Sequence, residues 1–386
     1  MISEWWMQNG LTVAFYVAVV LLLLIYRKKF EFQGIVALRK TNFGVAFMKR
    51  WAKKRKETFR LLGYIGVGIG FAGMVAIFGY VFKALYDFFF QPAAPAAFSL
   101  VLPGVNIPGS AIVIPLWVLI PLFIVVVIHE AGHGLIAKSF GVPIKSTGFV
   151  FFGPLAGAFV EPDEEKLKKS SDIVKYAVYA AGPFFNALTA IVVVILLFLV
   201  INPLSLMMVS PVGFSVQQVQ PDFPAAIAGM EPGVIYTHVN DQEVKTVEDL
   251  MDTLTFVGVN QSIVISNDEL SHEILTVEHP QDANRGYLGV IGLQSEFAVN
   301  QGVPEWLYFT LRGIYQFLFW VFVLSLGLGA FNLLPLGPVD GGRMIQLAFT
   351  KLFGEKAGMA YWSKLGFILF MVILLLVFGP MLQAIF

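Results

Sequence analysis

The sequence has 386 residues, of which 57% are hydrophobic and 13% charged, with 26 basic residues balanced by 26 acidic ones. A soluble domain has about a quarter of its residues charged, so this composition excludes an ordinary soluble protein. The chain contains no cysteine, which excludes disulfides, thiolate metal ligands and cysteine nucleophiles. The apolar residues fall in blocks, most of them longer than the ~20 residues of helix that cross a bilayer. We therefore predict a polytopic membrane protein.

The first apolar block is short, covering residues 11–26, and a strongly basic stretch follows it. Residues 27–60 hold twelve Lys or Arg against two Glu. Short basic loops beside spans lie on the cytoplasmic side, so we place this loop there and the N-terminus outside. A nucleic-acid patch is the rival interpretation of such a stretch. The flanking spans argue against it, and we predict no nucleic-acid partner.

Five further apolar blocks follow the basic stretch. They cover residues 61–90, 111–137, 173–201, 306–334 and 365–386. Between the fourth and fifth of the six blocks, residues 202–304 hold thirteen Asp or Glu against only Lys245 and Arg285. Short alternating stretches, and Thr246 three residues ahead of Asp249 in the pattern of a capping box, predict a small soluble domain there.

The predicted fold class is a polytopic α-helical membrane protein with about six transmembrane helices and one inserted soluble domain. Its regions are an N-terminal two-span region (1–110), the first half of a membrane core (111–202), the soluble domain (203–304) and the second half of the core (305–386). Counting spans from the basic loop puts the soluble domain outside the cell. The ends of the third and fifth spans then both face the cytoplasm.

The third block ends in His129-Glu130-Ala131-Gly132-His133, an H-E-x-x-H motif. A spacing of four residues puts both imidazoles on one face of a helix, where they can bind one zinc ion, Zn2+. Glu130 can then reach a zinc-bound water and act as its general base. The alternative is a buried His/Glu cluster without a metal, but burying these groups near membrane depth without a function is costly.

A catalytic zinc has three protein ligands and one open position, so a third ligand is required. The other histidines all lie in the acidic domain, and Asp340 is the outstanding carboxylate beside an apolar block. It follows Asn332 in a stretch whose Pro and Gly residues break the helix. Irregular backbone at membrane depth is tolerated where it lines a wet cavity. The alternative is that Asp340 is a turn residue capping the next segment.

The HEAGH motif and the later N-x-x-P-x-x-x-x-D-G motif together resemble the site-2 protease family of intramembrane zinc metalloproteases. The resemblance covers most of the chain after about residue 110. It implies that His129, His133 and Asp340 are the zinc ligands. It also implies that Glu130 is the catalytic base and that Asn332 holds the substrate backbone.

Three other segments extend this resemblance. Gly182-Pro183-x-x-Asn186 matches the family's G-P-x-x-N element, which implies that Asn186 faces the active site and stabilises the oxyanion; the alternative is a hydrogen bond between helices. Residues 146–160 match a membrane-dipping β-hairpin that could pair with an unwound substrate, or else a loop packed on the helices. Residues 224–241 resemble a PDZ module, although Val234 and Asp241 replace its usual Asp and Gly. Such a domain outside the membrane would gate access to the site.

The leading hypothesis is a zinc metalloendopeptidase that cuts single-span membrane proteins within the lipid bilayer. The alternative is a membrane transporter or binding protein for a divalent metal that uses the same His/His/Asp cluster. Glu130 favours hydrolysis, because a transporter needs ligands and a pathway but no base beside a held water. An inactive scaffold that presents the soluble domain is a third possibility. Another zincin-type protease would need a glutamate ligand, and Glu305 and Glu355 lie in poor contexts.

Overall fold

The computed structural model describes residues 2–34, 36–91, 98, 102–105, 114–279, 282–337 and 339–383. The chain divides into two compact units. Unit 1 comprises Met1–Leu197 and Gln316–Phe386, and unit 2 comprises Phe198–Tyr315. Unit 2 is therefore inserted between two parts of unit 1, and it contains the whole of the acidic segment.

The first part of unit 1 alternates long helices with short strands. Its elements are α1 (Ile2–Ile25), β1 (Glu31–Gln33), β2 (Val36–Thr41), α2 (Val45–Lys54), α3 (Lys56–Phe90), α4 (Leu119–Ser139), β3 (Ile144–Phe152), β4 (Leu155–Pro162), α5 (Glu164–Lys168) and α6 (Asp172–Leu196).

The remaining elements belong to unit 2 and to the return into unit 1. Unit 2 contains α7 (Asn202–Met207), β5 (Val209–Val219), α8 (Pro224–Ile227), β6 (His238–Val239), β7 (Gln242–Glu243), α9 (Val247–Thr255), β8 (Ser262–Ser266), β9 (Ser271–Leu275), β10 (Val277–His279), β11 (Asp282–Tyr287) and β12 (Val290–Val299). The chain then forms α10 (Glu305–Asn332), α11 (Asp340–Phe353) and α12 (Glu355–Gln383).

Five helices among the described residues are long and apolar enough to cross a membrane, so the chain is a polytopic helical membrane protein. They are Lys56–Phe90, Leu116–Ser139, Asp172–Met207, Glu305–Asn332 and Glu355–Pro380. The apolar part of α1, Asn9–Ile25, is shorter, and a sixth span there stays a prediction. The predicted start of the third block, residues 111–113, lies outside the described residues.

The predicted β-hairpin is present as β3 and β4, which pair antiparallel from Phe152↔Leu155 to Ile144↔Pro162. Gly153 makes the turn with φ of 56°, a left-handed conformation that favours glycine. The basic stretch, expected only to be a loop, adds two more strands to this hairpin. Strand β2 pairs with β3, and β1 pairs with β2, giving the order β1-β2-β3-β4.

The helices of unit 1 pack closely through glycines of α3. Gly63, Gly66 and Gly70 lie three and four residues apart, which places them on one helix face. A Cβ at these positions would lie 3.1–3.2 Å from side-chain atoms of α4, α6 and α11, tighter than ordinary packing contact. Lipid provides no hydrophobic driving force for the association of helices, and small residues instead favour it by letting helices approach closely. Helix α3 therefore packs directly against the helices of the membrane core.

Unit 2 has an apolar core between short antiparallel strands. One sheet has the order β7-β6-β8-β9, and β5 pairs with β12. Phe214 and Tyr236 are the largest of its fully buried side chains. The predicted capping box is confirmed: Thr246 and Asp249 exchange hydrogen bonds at the start of α9. Hydrogen bonds from Thr246 and Lys245 lower the pKa of the Asp249 carboxyl. The PDZ assignment of this unit stays a prediction.

Candidate metal centre

His129 and His133 lie one turn apart on α4, as their spacing predicts, with Nε2 atoms 3.2 Å apart. His129 is 5% exposed, although α4 is otherwise an almost wholly apolar helix. Two buried imidazoles that point their nitrogens at a common position form the first part of a metal site.

Asp340 joins them from α11, of which it is the first residue. Its Oδ2 lies 3.1 Å from Nε2 of His129 and 3.3 Å from Nε2 of His133. The two residues that follow must be glycines, because a Cβ at Gly341 or Gly342 would overlap backbone atoms of Leu333 or Leu336. The Asp-Gly-Gly sequence thus lets α11 begin against the irregular segment after α10, which brings the carboxylate to the histidines.

The three donor atoms fit a zinc ion. Their separations of 3.1, 3.2 and 3.3 Å form a nearly equilateral triangle. Zinc bonds of about 2.0–2.2 Å in a tetrahedron set donors about 3.3–3.6 Å apart, so the triangle is slightly smaller than one tetrahedral face. Among the residues that the structure describes, this is the one group of three His, Asp or Glu residues so arranged.

Groups on α6 hold the far side of each imidazole. A histidine that binds zinc through Nε2 carries its hydrogen on Nδ1, which needs an acceptor. The carbonyl of Val178 lies 2.7 Å from Nδ1 of His133 and serves as that acceptor. The amide Nδ2 of Asn186 lies 3.1 Å from Nδ1 of His129, while its buried Oδ1 has no partner in the described part of the chain. Rotation of the Asn186 amide by about 180° lets Oδ1 accept a hydrogen bond from the Nδ1–H of His129, which gives a partner to both Oδ1 and Nδ1–H.

Gly182 is a functional position that the sequence interpretation treated only as part of a motif. A Cβ there would overlap Nε2 of both His129 and His133. The lack of a side chain at Gly182 therefore leaves room for the two imidazoles to point at one candidate metal position. The signal was the G-P-x-x-N element itself, but a single sequence does not reveal which of its atoms makes the close approach.

Glu130 faces a cavity of about 500 Å³ that is also lined by the three candidate metal ligands. Its Oε2 accepts a hydrogen bond from the backbone N–H of Val160 on β4, at 2.9 Å. Asn332 lines the same cavity, and its Nδ2 donates to the carbonyl of Leu328. Asn186 is fully buried behind His129 and is not among the lining residues.

Arg343 also lines this cavity, and sequence reasoning did not single it out. It lies one helical turn after Asp340 on α11, and its guanidinium sits over the ring of Tyr179, 5.8 Å from the centroid. A cation at this position gives the cavity a positively charged wall beside the candidate metal site.

Comparison with known proteins agrees with this geometry. The model for peptidase family M50 matches residues 117–376, more than half of the chain. An uncharacterized protein of Methanocaldococcus jannaschii is 26% identical over 348 residues, covering 87% of this chain and 83% of the relative. The zinc metalloproteases RasP of Geobacillus kaustophilus and Oceanobacillus iheyensis are each 24% identical, over 51% and 53% of this chain and 56% and 59% of their own lengths. This chain thus belongs to peptidase family M50, the site-2 protease family.

Proposed function

We propose that this chain is an intramembrane zinc metalloendopeptidase that hydrolyses peptide bonds in the transmembrane helices of single-span membrane proteins. The observation that carries the proposal is the position of Glu130, whose carboxylate shares one cavity with a tetrahedral face of donors. A metal transporter would need the donors but not the neighbouring base.

In the proposed mechanism His129, His133 and Asp340 would hold the zinc ion. When bound there, zinc would supply a Lewis acid able to polarise a carbonyl and to acidify a water. Glu130 accepts the proton of the attacking water and returns it to the nitrogen of the departing peptide. The N–H of Val160 holds one carboxylate oxygen of Glu130, which leaves the other free for this proton transfer.

The substrate segment next to the scissile bond is proposed to add as a strand to β4. Strand β4 ends the sheet, so one of its edges has no strand partner among the described residues. The N–H of Val160 points to Glu130 rather than to β3, which sets this free edge beside the base. Backbone hydrogen bonds along an edge strand hold an extended peptide whatever its side chains. We propose that Asn332 binds the same backbone from the opposite wall, because it lines the cavity.

Asn186 is proposed to act through His129 as a positioning residue. It contacts the imidazole and is fully buried, which suits a group that fixes the ring. The oxyanion role expected from the family resemblance stays a prediction, and the effect of replacing Asn186 on zinc affinity separates the two.

The test of the proposed function is Glu130→Gln in the purified full-length protein, reconstituted with zinc and a single-span substrate. The amide cannot accept the proton, so we expect cleavage to fall by at least ~10²–10⁴-fold. Zinc content should be unchanged, because none of the three donors is altered. Near-normal cleavage by the variant would contradict the protease proposal, and zinc-dependent metal flux through vesicles carrying that variant would support the transporter instead.

Unit 2 is proposed to gate access from outside the membrane. The acidic composition of residues 203–304, set against the basic stretch, supports its extracytoplasmic position and a cytoplasmic active site. Single cysteines at Ser170 and Asp268 test this sidedness, since the first should react only from the cytoplasm and the second only from outside. The reverse labelling pattern would invert the topology.

Gating is tested by replacing residues 205–300 with a flexible linker. Every proposed catalytic group lies in unit 1, so zinc binding and cleavage of a substrate with a short external segment should persist. Substrates with a folded external domain should now be cleaved as well. If a folded, zinc-loaded variant cleaves neither substrate, the gate is wrong and unit 2 instead supports the membrane helices.

A further inference from the structure

Helix α2 has two apolar faces, of which only one is covered by protein. Met48 and Ala52 are buried, and the Sδ of Met48 fills the space in which a Cβ of Gly134 would sit. Val45 packs on a buried apolar cluster that includes residues of α4. This inner face fixes α2 against the end of α4 that carries His133.

The second apolar face is a ridge of aromatic residues that stays exposed. Phe47 and Trp51 lie one turn apart on α2 and are 60% and 43% exposed, and Phe43, in the turn before the helix, is 85% exposed. The rings of Phe47 and Trp51 contact each other with centroids 5.9 Å apart. Large rings on a short surface helix are costly to hydrate, which indicates an apolar surrounding for this ridge.

Cations occupy the rest of the helix. Lys49, Arg50, Lys53 and Lys54 are exposed, and residues 49–56 contain no Asp or Glu. On a helix with about 100° per residue, Arg50, Lys53 and Lys54 fall on the arc opposite Met48 and Ala52. Lys49 lies between that arc and the buried face on one side, and Phe47 and Trp51 lie on the other side. This combination of an aromatic stripe and a basic face is typical of helices that lie in the plane of a membrane surface.

The position of α2 along the spanning helices puts it at that surface. Spanning helix α3 begins at Lys56, directly after α2. Near this start, Nε of Arg60 donates to the carbonyl of Ser139, the last residue of α4, at 3.1 Å. One span begins and another ends at this level, so the aromatic ridge is held where headgroups meet acyl chains.

We propose that α2 is an interfacial helix that binds anionic phospholipids, with Phe43, Phe47 and Trp51 among the acyl chains and its lysines and arginine on the headgroup phosphates. The charge of residues 49–56 selects an anionic lipid surface over a neutral one, since each cation near such a surface gains about fivefold in binding, equivalent to ~1 kcal/mol. This proposal does not depend on the proposed proteolysis.

The absence of cysteine allows the depth of each face to be measured by spin labels at single introduced cysteines. Phe47→Cys probes the ridge, Arg50→Cys probes the basic face, and Asp268→Cys in unit 2 is the water-exposed control. Each variant is reconstituted in vesicles of phosphatidylcholine and phosphatidylglycerol. We expect the label at 47 to collide with dissolved oxygen and to be shielded from an aqueous nickel chelate. The labels at 50 and 268 should show the reverse.

The charge requirement is tested with Lys49, Lys53 and Lys54 replaced together by Gln. The preference of the protein for spin-labelled phosphatidylglycerol over phosphatidylcholine should fall, by up to about fivefold for each lysine at low ionic strength. Lys166, Lys168 and Lys169 replaced by Gln form the matched control, with the same change in charge and an expected smaller change in preference.

Three outcomes would overturn the proposal. Equal access of water to the labels at 47 and 50 would place the ridge outside the membrane. Shielding at 47 that persists in detergent and grows with protein concentration would show that a second copy of the chain covers the ridge instead of lipid. An unchanged lipid preference in the triple variant would remove the anionic lipid from the proposal.

Discussion

The two units of this molecule are built on opposite principles. In unit 2 the large buried side chains form an apolar core with Phe214, Tyr236 and Ile265 at the centre, and the buried polar residues, Ser215 and Thr276, are small. In unit 1 many large apolar residues face outward, while buried polar groups such as His129, Asn186 and Ser325 lie among the helices. Lipid is as apolar as a protein core, so a membrane helix gains little by burying leucine.

The difference shows which kinds of residue determine the structure of each unit. In the membrane unit, small residues set how closely helices approach, and the few buried polar groups mark the site. In unit 2, hydrogen-bonded caps and apolar packing stabilise a domain that contains none of the proposed catalytic groups. Changes that disturb the proposed metal ligands of unit 1 should therefore affect zinc content and activity together, and point substitutions in unit 2 should leave zinc content unchanged and affect only local stability.

Asp340→Ala should have the largest effect. It removes one of three donors, so bound zinc should fall well below one ion per chain and cleavage should fall to background. Zinc is measured by elemental analysis of the purified protein, with Asp163→Ala, on the same predicted side, as control. Full zinc content in Asp340→Ala would mean that the third ligand is elsewhere, and Glu161 and Asp163 would then be the next candidates.

Gly182→Ala should be nearly as severe, although it adds a single methyl group. The new Cβ would overlap Nε2 of both histidines, so α6 must move away or the donors must separate. We expect most of the zinc to be lost. Gly68→Ala is the matched control, because a Cβ at Gly68 has no heavy atom within 4 Å in the described residues. Equal zinc content in the two variants would show that the approach of α6 does not shape the metal site.

Asn186→Leu should have an intermediate effect, because it removes the amide that holds His129 while keeping the number and branching of the side-chain heavy atoms. Loss of an outer hydrogen-bond partner typically costs about 10- to 100-fold in metal affinity or activity. Zinc affinity is measured by competition with a chelator, and Ser325→Ala serves as the control for removing a buried polar group. A variant with unchanged zinc affinity and reduced kcat would favour the oxyanion role instead.

Thr246→Ala in unit 2 should have the smallest effect. Loss of the N-cap typically costs ~1 kcal/mol, so amides at the start of α9 should exchange about fivefold faster in hydrogen-exchange mass spectrometry. Zinc content and cleavage should be unchanged. A loss of zinc in this variant would mean that the two units are energetically coupled and that the effect of a substitution in unit 2 is not confined to local stability.

The sequence predicted the parts of the structure that depend on local patterns. The helical spacing of His129 and His133 and the capping box at Thr246 were readable from a few neighbouring residues. The hairpin around Gly153 was expected from the family resemblance, and the local residues alone left a packed loop as the alternative. The pairing of β2 with β3 was not, because it joins segments more than a hundred residues apart and β1 is only three residues long. Helix α11 was also missed, since it is amphipathic rather than apolar and hydropathy blocks do not detect it.

The packing of α3 separates two regions that are easily taken to be the same, namely the part of the chain that matches the family and the set of helices that pack together. The part shared with the family begins at Trp117, beyond the end of α3 at Phe90. Yet the glycine face of α3 fits against the helices that carry the metal ligands and touches Met344, four residues after Asp340. The edge of the region that the family model matches therefore runs through the middle of one packed body, while the similarity to the Methanocaldococcus jannaschii protein covers 87% of the chain and extends beyond that edge. A protein trimmed to residues 117–376 would lose α3 and also Gln33, Leu38 and Lys40, which line the cavity that contains Glu130. We therefore expect such a fragment not to keep the packing around the candidate metal site.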